Sequence, residues 1–138
     1  MPGAASEHAR PPRDADVILD VEFDHGLLFL VLRNLGDAPA HSVRVRFEEP
    51  LRGLGGERRI DRLGVFRRLE FLGPRRRLRV FLDRSSLLFA RDEPRKLAVR
   101  ITWRTDEGAR RSRSITHDLD AYRDFPYLEV PGDAHRPS

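Results

Sequence analysis

From Leu27 to Phe47 the chain writes a strand, a turn and a second strand without interruption. The apolar run Leu27–Leu32 is short enough for a buried strand. It meets Asn34 and Gly36, residue types that accept the positive φ of a tight turn, and then Val43, Val45 and Phe47 alternate with Arg44, Arg46 and Glu48. Alternation puts the two sets on opposite faces, so the second strand has one dry and one wet side. The first, apolar on both sides, belongs in the middle of a sheet with its outer side covered. Nothing in the segment is catalytic.

The same pattern recurs on either side. Val17, Leu19, Val21 and Phe23 alternate with Ile18, Asp20 and Glu22 and end at Asp24-His25-Gly26, a turn signal. After Glu49-Pro50, a glycine-rich loop from Leu51 to Gly56 leads to Ile60, Leu63, Val65 and Phe66, where the pattern is least regular. Leu69 and Phe71 mark a short strand, Gly73-Pro74 a turn, and Leu78, Val80 and Leu82 alternating with Arg77, Arg79 and Phe81 another strand. Ser85 or Ser86 is expected to cap one helical turn, the only one in the chain, through Leu87, Leu88 and Ala90, ending before Pro94. Leu97, Val99, Ile101 and Trp103 form the clearest strand of the second half, joined by Thr105-Asp-Glu-Gly108 to the polar strand Arg110–Asp118. With no helical period and no internal repeat, about seven such strands give an all-β fold, an immunoglobulin-like β-sandwich of antiparallel strands in two sheets. A length of 138 residues allows one domain: a disordered leader over 1–15, the sandwich over 16–121 and a C-terminal tail over 122–138.

The phrase Asn34-x-Gly36-x-x-x-Ala40-x-x-Val43-x-Val45-x-Phe47 resembles the first half of bacterial immunoglobulin-like domains of the CARDB type. A strand bearing Trp103, a short acidic turn with Gly108 and a polar strand ending in Asp118-Leu119 resemble the close of the same domain. The likeness spans residues 17–121, and it implies a β-sandwich with the adhesive role associated with such domains.

Composition narrows the chemistry. Cysteine is absent, so no disulfide framework or thiolate metal site exists, which fits a reducing compartment. Met1 to Asp16 has no apolar block and Leu27–Leu32 is far short of a membrane span, so a soluble cytoplasmic chain is expected. The histidines His8, His25, His41, His117 and His135 lack ligand spacing, and no metal or cofactor is expected. Gly53-Leu-Gly55-Gly56 lacks the Lys-Ser/Thr of a phosphate loop and reads as a flexible connector, and Ser85 and Ser86 lack a G-x-S-x-G setting. No catalytic residue and no small-molecule substrate are assigned.

Charged residues make up 35% of the chain with a net charge of +4, and Lys96 is the only lysine. That arginine bias is what a GC-rich genome produces. Two arginine clusters are nevertheless candidate anion sites: Arg75, Arg76, Arg77 and Arg79 at a turn and the strand leaving it, and Arg110, Arg111 and Arg113 on the last strand. Arg77 and Arg79 share a face, as do Arg111 and Arg113, and Arg44 with Arg46 makes a third pair suited to phosphate or carboxylate. Glu22, Glu48, Asp83, Asp106 and Asp118 are placed to neutralise these faces as cross-strand pairs. The aromatic tail, with Tyr122, Arg123, Phe125, Tyr127 and Leu128, has the composition of an interface anchor, its alternative being a flap folded back on the core. The function expected is a non-enzymatic protein-protein interaction or assembly module, with a protein partner or self-association. The alternative is arginine-mediated binding of nucleic acid or another polyanion.

Overall fold

The structure, a computed structural model, describes residues 13–91 and 95–123. Its strands in chain order are β1 (Val17–Asp24), β2 (Leu27–Asn34), β3 (Ala40–Phe47), β4 (Arg52–Gly53), β5 (Arg58–Arg59), β6 (Leu69–Leu72), β7 (Arg77–Arg84), β8 (Lys96–Arg104) and β9 (Arg110–Asp118). Seven of them build two sheets, of order β1-β2-β7 and β6-β3-β8-β9, while β4 and β5 pair only with each other. All pairings are antiparallel. The fold is an immunoglobulin-like β-sandwich. It differs from the constant-domain arrangement in that the fourth strand of the two sheets, the short β6, lies beside β3 and not in the sheet of the first two.

Turn chemistry and alternation account for the frame. His25 and Gly26 take φ of 52° and 80°, the doubly left-handed two-residue turn whose twist matches that of β1 and β2. Gly108, at φ 84°, and the Thr105 hydroxyl, accepting from Ala109 N–H at 3.1 Å, close the β8–β9 hairpin. Val17, Leu19 and Val21 with Leu28, Leu30 and Leu32 face Val43, Val45, Leu97, Val99, Ile101 and Trp103 across the core. Among the described residues no helix is long and apolar enough to cross a membrane.

Four expectations need correction. Asn34 and Gly36 do not supply positive φ. Asn34 is buried and its amide works as a clamp, accepting from Asp16 and Gly36 N–H and donating to the Ala38, Leu72 and Gly73 carbonyls at 2.8–3.2 Å. Gly36 is required for a different reason: a Cβ there would lie 1.9 Å from the Asp14 carbonyl oxygen. The segment crossing it shows the second correction. Asp37 N–H donates to the Arg13 carbonyl and Ala15 is buried, so residues 13–15, within the expected leader, already belong to the body.

Third, the Leu51–Gly56 loop is anchored. Gly53 packs so close to β7 that a Cβ would meet the Leu82 carbonyl at 2.0 Å. The Gly55 N–H donates to both oxygens of buried Asp83, which also holds Arg91 at 2.7 Å. A loop whose amide is spent on an internal carboxylate is no phosphate cradle. Fourth, the serines do not cap the helical turn Ser85–Leu88, which starts from Arg84 without a side-chain cap. Further turns of helix occur at Ile60–Arg62, Gly64–Arg67 and Leu119–Tyr122. The first two of these seat Ile60 and Phe66 in the core.

Candidate functional site

The arginines singled out by sequence do not gather at one place. Arg77 and Arg79 lie on the outer face of the three-stranded sheet, opposite Arg33 and Val31 of β2. There β1 supplies their counter-charges: Arg77 reaches Glu22 at 3.0 Å, and Arg79 reaches Glu22 at 3.4 Å and Asp24 at 3.5 Å. Arg79 also lies flat over Phe29, 3.7 Å from the ring centroid. Arg75, at the preceding turn, pairs with Asp37 at 2.8 Å, and Arg76 is exposed beside it. The Asp37 carboxyl is held below its ordinary range by the Arg13 backbone N–H first and by Arg75 second. The first cluster is therefore divided and mostly neutralised.

The second cluster is divided by the pleat. Opposite Trp103 and Ile101, Arg111 and Arg113 sit on the core-side register of edge strand β9, and Arg113 reaches past the edge to Asp16 at 2.6 Å. His117, in the same register, donates from Nε2 to the Leu19 carbonyl at 2.8 Å, which ties β9 to β1. Arg110 instead faces outward. Of the tail residues, Tyr122 is half-buried against the core, its phenol pushed up by that burial, and Arg123 binds Asp120 at 2.9 Å beside the Phe89 ring. Phe125, Tyr127 and Leu128 lie outside the described residues.

What assembles on the outer face of the four-stranded sheet is a set that no single sequence segment displays. Register sets Arg46 directly opposite Arg100, and Arg104 directly opposite Arg110. Like charges facing each other across strands are destabilising, by up to roughly 1 kcal/mol against an opposite-charge pair. Here no carboxylate relieves them: among the described residues none of the four makes an ion pair, Arg100 bonds the Ser112 hydroxyl at 3.3 Å, and Arg104 the Gly108 carbonyl at 3.5 Å. At the rim Glu70 is held by Arg44 at 2.9 Å and Asp106 by His41 at 2.7 Å, while Glu48, exposed next to Arg46 at the end of β3, makes no ion pair among the described residues. Thr102, Ser112 and Ser114 fill the positions between the arginines and are exposed.

Beside Ser42, a bulge residue at φ 50° where the β3–β8 register shifts, the face dips into a hollow of about 400 Å³. Arg100, Arg104, Arg110, Arg111 and Ser112 line it together with Trp103. The indole Nε1–H of Trp103 is buried and has no acceptor among the described residues. Guanidinium, hydroxyl and indole groups all donate. The arrangement can bind oxygen acceptors of an anion.

Comparison with known proteins adds one result. A family described as a domain of unknown function, DUF8453, matches residues 3–123, and the chain belongs to that family. No curated protein and no solved structure matches it.

Proposed function

We propose that this protein is a non-enzymatic interaction module that binds an acidic protein partner through the outer face of its four-stranded sheet. The observation that carries this reading is the pair of unrelieved like-charge contacts, Arg46 against Arg100 and Arg104 against Arg110. A fold stable without a partner gains nothing from them, whereas carboxylates arriving from outside convert each repulsion into bidentate attraction. Exposed Ser and Thr between the arginines supply further hydrogen bonds without bulk. The polyanion alternative fits the charge but not the surface. Recognition of single-stranded nucleic acid on a sheet uses aromatic rings at its centre, and among the described residues the exposed ring of this face, Phe71, stands at the β6 corner beside His41.

Titration of the full chain with poly-L-glutamate, and with a single-stranded oligonucleotide of equal charge, tests the reading. Poly-L-glutamate is expected to bind more tightly, and Arg100→Ser with Arg104→Ser to weaken it by about a hundredfold, at roughly 1.5 kcal/mol per charged contact. Arg77→Ser with Arg79→Ser is expected to leave it unchanged. Tighter binding of the oligonucleotide, with a steep salt slope, would transfer the face to the polyanion alternative. Absence of binding by either probe overturns both.

A further inference from the structure

The edge of β3 away from β8 is only half covered. β6 pairs with Ala40, His41 and Val43, and it can reach no further because the chain preceding Leu69 leaves the sheet as the helical turn Gly64–Arg67. Past Val43, β3 continues to Phe47 with β8 as its neighbour on one side. In an antiparallel ladder, successive residues turn their N–H and C=O groups to opposite sides. Glu48 N–H donates to the Ala98 carbonyl at 2.9 Å, which assigns Arg44 and Arg46 to the β8 side. Val45 and Phe47 therefore direct their peptide groups to the side β6 does not reach, where no backbone hydrogen bond meets them among the described residues.

A groove of about 440 Å³ lies along this edge, within the usual range for binding pockets of roughly 300–1,000 Å³. Its lining includes Arg44, Arg46, Phe47, Arg62, Phe66 and Arg67. Phe47 and Phe66 meet edge to face at 5.2 Å between centroids. The carboxylate in the lining, Asp61, is already held by Arg59 at 2.8 Å and by Leu51 N–H at 3.0 Å. Arg46, Arg62 and Arg67 have no ion-pair partner among the described residues. Open strand edges recruit extended chains, because backbone bonding gives affinity and alternate side chains give selectivity.

We infer that this groove takes an extended acidic segment of the protein partner, added to the sheet as an antiparallel strand in line with β6. The inference rests on the acidic-partner reading and specifies how that partner is held. Strand geometry dictates the segment's pattern. Residues opposite Val45 and Phe47 point to the core side, toward Phe66, and must be apolar. Residues opposite Arg44 and Arg46 point outward and must carry carboxylates. An alternating acidic and aliphatic sequence satisfies both conditions.

The test uses an alternating Glu-Val octapeptide and two N-methylated forms of it, with the full-length chain. In the added strand, the valine amides face Val45 and Phe47 while the glutamate amides face away. Methylation of the valine nitrogens should therefore lower affinity at least tenfold, and methylation of the glutamate nitrogens should not. Binding should slow hydrogen exchange at the Val45 and Phe47 amides, and Arg46→Ser with Arg67→Ser should weaken the octapeptide about tenfold or more while Arg77→Ser leaves it unchanged. Equal affinity of the two methylated peptides, or unchanged exchange at Val45 and Phe47, overturns strand addition while leaving the acidic-partner reading intact. If poly-L-glutamate and the octapeptide both fail to bind, that broader reading falls as well.

Discussion

The two outer faces of this sandwich are built from the same residue type and are opposite in character. On the three-stranded sheet, arginines cover apolar groups: Val31 points outward yet has 0% exposure, and Arg79 lies over Phe29, which itself packs edge to face on Phe81 at 5.6 Å. Glu22 and Asp24 then neutralise the guanidinium groups. On the four-stranded sheet Arg44 meets Glu70, but Arg46, Arg100, Arg104 and Arg110 stand among exposed Ser and Thr and face one another in pairs. The first face is largely neutralised from within, although Arg33 also stands opposite Arg77. The second leaves Arg46, Arg100, Arg104 and Arg110 without an ion pair among the described residues. Arginine content does not separate the two, since register alone decides which guanidinium faces a carboxylate.

The largest effect that would break this contrast lies beneath the arginine layer. Val31→Asp places a carboxylate in a fully buried site whose neighbouring cation, Arg79, is already paired, so it should cost several kcal/mol of a total of roughly 5–15. Thr102→Asp, central on the other face and exposed, should leave the denaturant midpoint unchanged or slightly raised. Equal losses for the two would mean that both faces are covered alike.

A smaller effect sharpens where the internal ion pairs reside. Asp37 and Asp61 have carboxyls held below their ordinary value of 3.8, the first by Arg13 backbone N–H and then Arg75, the second chiefly by the Arg59 side chain. Because the folded values lie below the unfolded ones, their stabilisation is complete above the ordinary range and is lost as pH falls through the depressed values. Asp37→Asn with Asp61→Asn should flatten the decline of the urea midpoint below about pH 4. Arg100→Ser should not alter that limb, since among the described residues no acid pairs with it.

The smallest effect concerns the like charges themselves. Arg46→Glu sets an acid opposite Arg100, and differential scanning calorimetry should show a gain of about 0.2–1 kcal/mol. The same variant should bind poly-L-glutamate more weakly. A loss of stability would mean that the present pair is relieved in some other way and would remove the main support for a partner.

How much of this was legible in the sequence depended on sequence distance. The β8–β9 hairpin was readable from Thr105 to Gly108, and with it the opposition of Arg104 and Arg110, because a short turn fixes register locally. The opposition of Arg46 and Arg100 depends on β3 pairing with β8, strands far apart in the chain, and on a bulge at Ser42 that no pattern announces. Glu22 and Asp24 were visible as acids, but their placement beside Arg77 and Arg79 follows from β1 and β7 both flanking β2. Arg62 and Arg67 were passed over. They ride on turns of helix too short to develop a 3.6-residue period, in the stretch where Ile60 and Phe66 gave apolar character without a readable spacing. Asn34 was recognised as a turn residue, yet its value lies in an amide with both ends engaged, something only the folded neighbours can reveal.

The short reach of β6 has a colloidal consequence. An uncovered strand edge is a template for a second copy, and what guards this one is charge: edge-to-edge approach of two chains sets Arg46 and Arg67 against arginines of their own kind. Such a guard works through space and is weakened by dissolved ions, which screen exposed charges over about 8 Å at physiological ionic strength. Dispersion of the free protein is therefore greatest in dilute buffer and declines as salt is added, the reverse of an assembly held by ion pairs.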